Sequence, residues 1–131
     1  MVTDRHAHAL DRRRGEVYWA LYRPGQAGAE PVMLRGPEVA PPSDVAIAIA
    51  DRGEPVLCVG TGFVRHADEF ASVTMSEHGP PSLSMPSAEH VLALGALRAA
   101  RDLTVAADAL VPAYLRAPDA EINWQTREGA R

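Results

Sequence analysis

Hydrophobic and polar positions first settle into the two-residue period of a strand over Glu16-Val17-Tyr18-Trp19-Ala20-Leu21-Tyr22. Val17, Trp19 and Leu21 fall on one face and Glu16, Tyr18, Ala20 and Tyr22 on the other, and such β-branched and aromatic side chains suit a pleated surface. Arg23 to Glu30 is polar and interrupted by Pro24, Gly25 and Gly28, after which Pro31-Val32-Met33-Leu34-Arg35 returns as a short apolar run. The two runs predict a hairpin with a long loop. Upstream, Ala7 to Leu10 is either the end of a further strand or a lead-in.

Pro41-Pro42-Ser43-Asp44 predicts a helix start with Ser43 or Asp44 as the N-cap. Val45 to Ala50 also alternates like a strand, but Gly53 stands where a helix C-terminal cap belongs and favours a short helix. Pro55-Val56-Leu57-Cys58-Val59 reads as a strand buried on both faces, closed by the tight turn Gly60-Thr61-Gly62. Phe63 to Phe70 predicts a short helix, Ser72 to Met75 a strand, and the Pro- and Gly-rich stretch from His78 to Pro86 a loop. Ser87 then caps the strongest helix, Ala88 to Asp102. At helical spacing Ala88, Val91, Leu92, Gly95, Ala99 and Leu103 share one side, which the small Gly95 and Ala99 allow to lie close against a sheet. His90, Leu94, Leu97 and Arg101 take the other side. Ala109 to Arg116, interrupted by Pro112, predicts an edge strand or a docked tail, and residues after Pro118 are expected to be loosely ordered. The order of elements is that of a single α/β (mixed α+β) layer structure.

Length and composition agree with one globular domain: 131 residues, 47% hydrophobic and 23% charged. Thirteen basic against seventeen acidic side chains leave a net charge of -4, which argues against a dedicated nucleic-acid binder. Every basic residue is Arg, and Ala fills 23 positions, a bias that fits a GC-rich genome better than a need for guanidinium groups. One cysteine, Cys58, forbids an internal disulfide and fits a reducing compartment. Apolar runs fall well short of the roughly 20 residues of a membrane span. Met1 to Leu10 is polar and rich in His, unlike a signal peptide. The expected setting is the cytoplasm.

Candidate chemistry is sparse. The five histidines form no His-Glu-x-x-His motif and accompany no cysteine pair, so no metal site is expected and exposed histidines are the simpler account. Cys58, between Leu57 and Val59, is expected to be an inert core thiol. No Gly-x-Ser-x-Gly elbow offers a serine nucleophile. Gly60-Thr61-Gly62 at a strand end opens backbone N–H groups that suit an anion or nucleotide, although a tight strand-to-helix turn explains the same glycines. Arg12-Arg13-Arg14 is a charge run at the entry to the aromatic strand, suited to phosphate but more simply solvated, and Trp19 is expected in the core.

Three segments carry a specific resemblance. Asp11-Arg12-Arg13-Arg14-Gly15-Glu16-Val17-Tyr18-Trp19-Ala20 resembles the Asp-Ala-Arg-x-Gly-Glu-Val-Tyr-Trp-Ala segment in the second lobe of the TsaB family, also called YeaZ. Val59-Gly60-Thr61-Gly62 is similar to that family's strand-end glycine motif. Val111-Pro112-Ala113-Tyr114-Leu115-Arg116, followed by Pro118-Asp119-Ala120, is similar to its Pro-x-Tyr-Leu-Arg ending. Arg12 departs from the pattern, standing where the family usually has Ala.

The resemblance implies one lobe of an actin- and sugar-kinase-like (ribonuclease H-like) fold, a mixed sheet with covering helices, over residues 1–116, with 117–131 as a tail. It implies a noncatalytic dimerisation subunit, without cofactor or metal, of the bacterial machinery that installs threonylcarbamoyl on an adenosine beside the tRNA anticodon. TsaD-like and TsaE-like proteins are the implied partners, and tRNA is met indirectly. Gly60 and Gly62 then become the remnant of a nucleotide turn, and Arg13, Arg14, Tyr114 and Arg116 candidate partner or RNA contacts. The family's N-terminal lobe, opening on an Ile-Asp-Thr-type strand, has no match here. Apolar surface is therefore expected to lie open where that lobe packs, with Leu94 and Leu97 as its candidates. Two other accounts stand beside this one: a stand-alone lobe that pairs with itself as a homodimer, and a glycoprotease-like hydrolase, which needs a metal or nucleophile.

Overall fold

Five strands form one mixed sheet in the order β3-β2-β1-β4-β5 in a computed structural model that describes residues 5–12, 15–26, 29–74 and 76–115. Strands β1 (His6–Arg12), β2 (Glu16–Arg23) and β3 (Val32–Ala40) make an antiparallel meander, and β4 (Val56–Val59) and β5 (Ser76–His78) add in parallel on the far side of β1. This mixed α/β arrangement, an antiparallel meander extended by parallel strands, is the ribonuclease H-like lobe that the resemblance implies. The segment from Ala7 to Leu10 is therefore no lead-in: it lies at the centre of the sheet, paired with Leu21 to Tyr18 on one side, while Ala7 pairs with Cys58 on the other.

Strand alternation decides which face is core. Ala7, Ala9, Val17, Trp19, Leu21, Val56 and Cys58 point to one side and are buried. Helix α1 (Pro42–Ala50) covers them with Pro42, Val45, Ala46 and Ile49, the i, i+3, i+4, i+7 stripe of an amphipathic helix, while Ile47 points outward. The N-cap of α1 is Pro41, with Pro42 at the first helical position and no side-chain cap, so neither Ser43 nor Asp44 has the expected capping role. A proline there forfeits nothing, because the first N–H groups of a helix have no intrahelical partner. Gly53 does take a positive φ of 63°, two residues beyond the C-cap Asp51.

The predicted helix from Phe63 to Phe70 is two short ones, α2 (Thr61–Arg65) and α3 (Ala67–Phe70), broken at His66, whose φ of -110° and ψ of 34° are not helical. The break lets Phe63 and Phe70 meet in the core with ring centroids 4.6 Å apart at 62°. Two fully buried phenylalanines contribute about 3–6 kcal/mol of apolar transfer between them. The strand expected over Ser72 to Met75 lies instead at Ser76–His78, and Ser72 to Thr74 is turn. At the opposite edge, β3 carries Gly36 and Pro37 in mid-strand, opposite irregularities of register in β2, and an exposed Arg35–Glu38 ion pair at 2.8 Å.

Helix α4 (Ala88–Ala99) is capped as expected, Ser87 Oγ accepting from the His90 N–H at 3.2 Å, but it ends three residues before Asp102. Its orientation reverses the expectation. Ala88, Val91, Leu92, Gly95 and Ala99 do not cover the sheet; none is buried, and Leu92 is 73% exposed. Leu94 and Arg98 face the sheet instead, and half-buried Leu97 is the most covered position of the helix. From Ala109 to Leu115 the chain forms no strand and is exposed up to half-buried Leu115; the part of the predicted tail from Arg116 onward lies outside the described residues. Among the described residues no helix is long and apolar enough to cross a membrane.

Candidate functional site

The C-terminal ends of β1 and β4 meet the start of α2, and the glycines of Gly60-Thr61-Gly62 act there through contact with β1. Gly60 has φ +111°, and a Cβ on it would stand 2.1 Å from the Ala9 carbonyl oxygen. A Cβ on Gly62 would stand 2.9 Å from the Ala9 Cβ. Both glycines are buried, and the turn they form is tied to β1 by the Asp11 N–H, which donates to Thr61 Oγ1 at 3.1 Å. Close approach of two backbones thus accounts for both residues.

Beside this turn lies a charged group that no sequence spacing announces. Asp11 receives Arg65 at 3.3 Å on one carboxylate oxygen and His66 Nε2 at 3.2 Å on the other. The second ring nitrogen of His66 lies 3.5 Å from Glu69 Oε1. His66 is not the exposed histidine expected, since only 15% of its side chain reaches solvent. Its two ring nitrogens thus face carboxylates from two elements, and the ring spans β1 and α3 at the point where α2 breaks. Asp11, Thr61, Val64, Arg65 and Ser84 line an open cavity of about 440 Å³ here. His66→Ala is expected to lower stability by about 1–2 kcal/mol, the range for half-buried bonds to charged groups. A urea titration with unchanged slope and a lower midpoint would register it; an unchanged midpoint would make the bridge ornamental.

Two potential nucleophiles among the described residues, Cys58 and Ser84, are shielded or occupied. Cys58 is 2% exposed, and burial pushes its thiol up to about 12, as expected of a core cysteine. The Ser84 hydroxyl donates to the Pro81 carbonyl at 2.7 Å. Among the described residues no three His, Cys, Asp or Glu side chains are grouped to hold a metal ion.

The other face of the sheet is different in kind. His8, Leu10, Tyr18 and Tyr22 point away from the core, across an apolar groove of about 780 Å³ from Leu94 and Arg98 of α4 and from Tyr114. Arg98 Nε reaches Glu30 at 3.2 Å and ties the helix to the loop before β3. The His8 ring stands edge-on to Tyr22, centroids 5.5 Å apart, and burial together with nearby His6 holds its pKa below the ordinary histidine value. Folding therefore favours the neutral ring. Stability from this group is complete above the unfolded pKa near 6.5 and declines as pH falls below it, by a small amount because part of the residue is exposed. Comparing thermal midpoints of wild type and His8→Gln from pH 7.5 to 5 checks this: the variant should lose less.

Of the residues named from sequence, Tyr114 is 84% exposed at the groove, whereas Gly60 and Gly62 are buried at the end of the sheet and line neither cavity. Arg13, Arg14 and Arg116 lie outside the described residues. Of the two leucines expected to lie open, Leu94 is 42% exposed and Leu97 half-buried, so the most open apolar positions of the helix are Val91 and Leu92.

No family model matches the chain, and no curated protein does. Solved structures do. An uncharacterized protein with similarity to peptidase YeaZ from Pseudomonas aeruginosa shares 30% identity and a TM-score of 0.69, over 87% of this chain and 50% of the other. YeaZ from Pseudomonas aeruginosa shares 28% identity and a TM-score of 0.68, over 86% of this chain and 50% of the other. The chain thus spans about half the length of the structures it matches.

Proposed function

We propose that the chain, similar in fold to one YeaZ (TsaB) lobe, acts as a noncatalytic scaffold subunit in the bacterial threonylcarbamoylation of tRNA. In this account a TsaD-like protein carries the chemistry, a TsaE-like protein assists it, and the present chain contributes surface. The observation that supports the reading is the shared lobe itself, at 30% identity over 87% of the chain. The net charge of -4 suits contact with tRNA through partners more than direct binding to a phosphate backbone. The buried, unreactive Cys58 and the fully engaged His66 suit a docking role, since neither is free to attack a substrate.

The test is co-purification of the tagged chain with the TsaD-like protein of the same cells at micromolar concentration. Threonylcarbamoyladenosine in bulk tRNA, measured by mass spectrometry with and without the chain, accompanies it. Retention of the partner and a fall in the modified nucleoside on depletion are expected. Failure of both would remove the proposed role.

A further inference from the structure

The arm from Pro80 to Leu115 contributes no buried residue to the lobe, and it holds α4 and most of the exposed large apolar side chains among the described residues. Between this arm and the sheet runs the groove of about 780 Å³, walled by Leu10, Tyr18 and Tyr22 on one side and by Leu94 of α4 on the other. Leu10 and Leu94, facing one another across it, are both 42% exposed. Apolar walls of this extent gain free energy when a complementary apolar group covers them.

The course of the chain identifies that group. Every described residue from Arg98 to Tyr114 is exposed; Leu115 is the first that is not, and with Ala113 and Tyr114 it already lines the groove. The polypeptide thus arrives at the groove where the described residues end. Residues 116–131 follow, and they carry Ile122 and Trp124 alternating with Glu121, Asn123 and Gln125. In an extended segment that spacing sets both apolar side chains on one side and the polar ones on the other. Nine residues lead from Leu115 to Trp124 and reach about 30 Å when extended, so the pair is within range of the whole cleft. Tethering presents it there at an effective concentration on the order of millimolar. Asp119 and Glu121 precede the pair, and the groove holds Arg98, whose guanidinium has donors beyond the Nε it gives to Glu30.

We propose that residues 116–131 fold back as a strap, with Ile122 and Trp124 seated in the groove between Leu10 and Leu94. The groove is then the docking site for this chain's own C-terminal segment, and another polypeptide reaches it only by displacing the strap. The proposal is independent of any role in tRNA modification.

The experiment is tryptophan fluorescence of the full chain. Trp19 and Trp124 are its two tryptophans, and Trp19 is 3% exposed in the core, so subtracting the emission of Trp124→Phe from that of wild type leaves the contribution of Trp124. Acrylamide should quench that contribution at least threefold less efficiently than it quenches a synthetic peptide of residues 116–131. Leu10→Arg and Leu94→Arg, on opposite walls, should each raise quenching to the peptide's level. The far-ultraviolet circular dichroism should stay unchanged, since both positions are part-exposed. Quenching of the wild type at the peptide's level would overturn the proposal, as would protection that survives both groove substitutions. Protection that appears only as concentration rises, with a doubled mass by light scattering, would give the groove to a second copy's tail and overturn it as well.

Discussion

Gly60→Ala is expected to remove at least about 3 kcal/mol of stability, a large part of the roughly 5–15 kcal/mol that holds a domain of this size together. Two costs combine. A φ of +111° is a backbone conformation that alanine rarely adopts, and its Cβ would lie 2.1 Å from the Ala9 carbonyl oxygen, a distance no rotamer relieves. The only escape is for β4 and α2 to move off β1, which breaks the pairing of Ala7 with Cys58 and the bond from Asp11 to Thr61. Gly53→Ala is the control. That residue also has positive φ, at +63°, but a Cβ there would meet nothing within 4 Å, so the loss should stay near about 1 kcal/mol. Equal urea midpoints for the two variants would refute the packing account of the glycine turn.

The second large effect is expected at Trp19. Its ring is 3% exposed in the core, and the Arg35 guanidinium lies 4.8 Å from the ring centroid at the β3 edge. Trp19→Ala should cost about 3–5 kcal/mol, the usual range for emptying a site of this volume. Trp19→Phe separates the contributions. The indole N–H is buried and has no hydrogen-bond partner among the described residues, so phenylalanine removes an unsatisfied donor while keeping most of the apolar contact. The Phe variant should therefore retain more than half of what Ala loses. If the two substitutions prove equally damaging, the ring does not act as a hydrophobic plug, and the cation above it would have to matter more than the roughly 0.5–2 kcal/mol such contacts supply.

What was legible in the sequence depended on how large the inward side chains were. β2 announces itself because the large Val17, Trp19 and Leu21 alternate with half-buried Glu16, Tyr18 and Tyr22 and with Ala20, a small residue that is itself buried. β1 has the same alternation but buries only Ala7 and Ala9, whose small size gives little signal; Ala9 must be small because Gly60 and Gly62 sit directly against it. β5 is Ser76-Glu77-His78, a strand by virtue of its pairing with β4 and not of any side chain. α4 was legible as a helix and illegible in orientation. Its leucines and alanines are apolar nearly all round, so periodicity alone offers two faces, and the arm's own lobe takes the one with Leu94 and Leu97. The charged bridge was hidden for a simpler reason: Asp11 and His66 are 55 positions apart, and only the parallel pairing of β1 with β4 brings the strand and the helix break together.

So much uncovered apolar surface ordinarily invites precipitation into ordered fibres, and the two ends of the sheet bear on that outcome. On one, Pro37 supplies no N–H to a newcomer, and the charges of Arg35 and Glu38 sit on the same stretch. The other ends in a strand of three residues. Neither offers a long, flat template for cross-β growth. Crowded preparations of this protein should cloud into amorphous, redissolving aggregates without binding an amyloid dye.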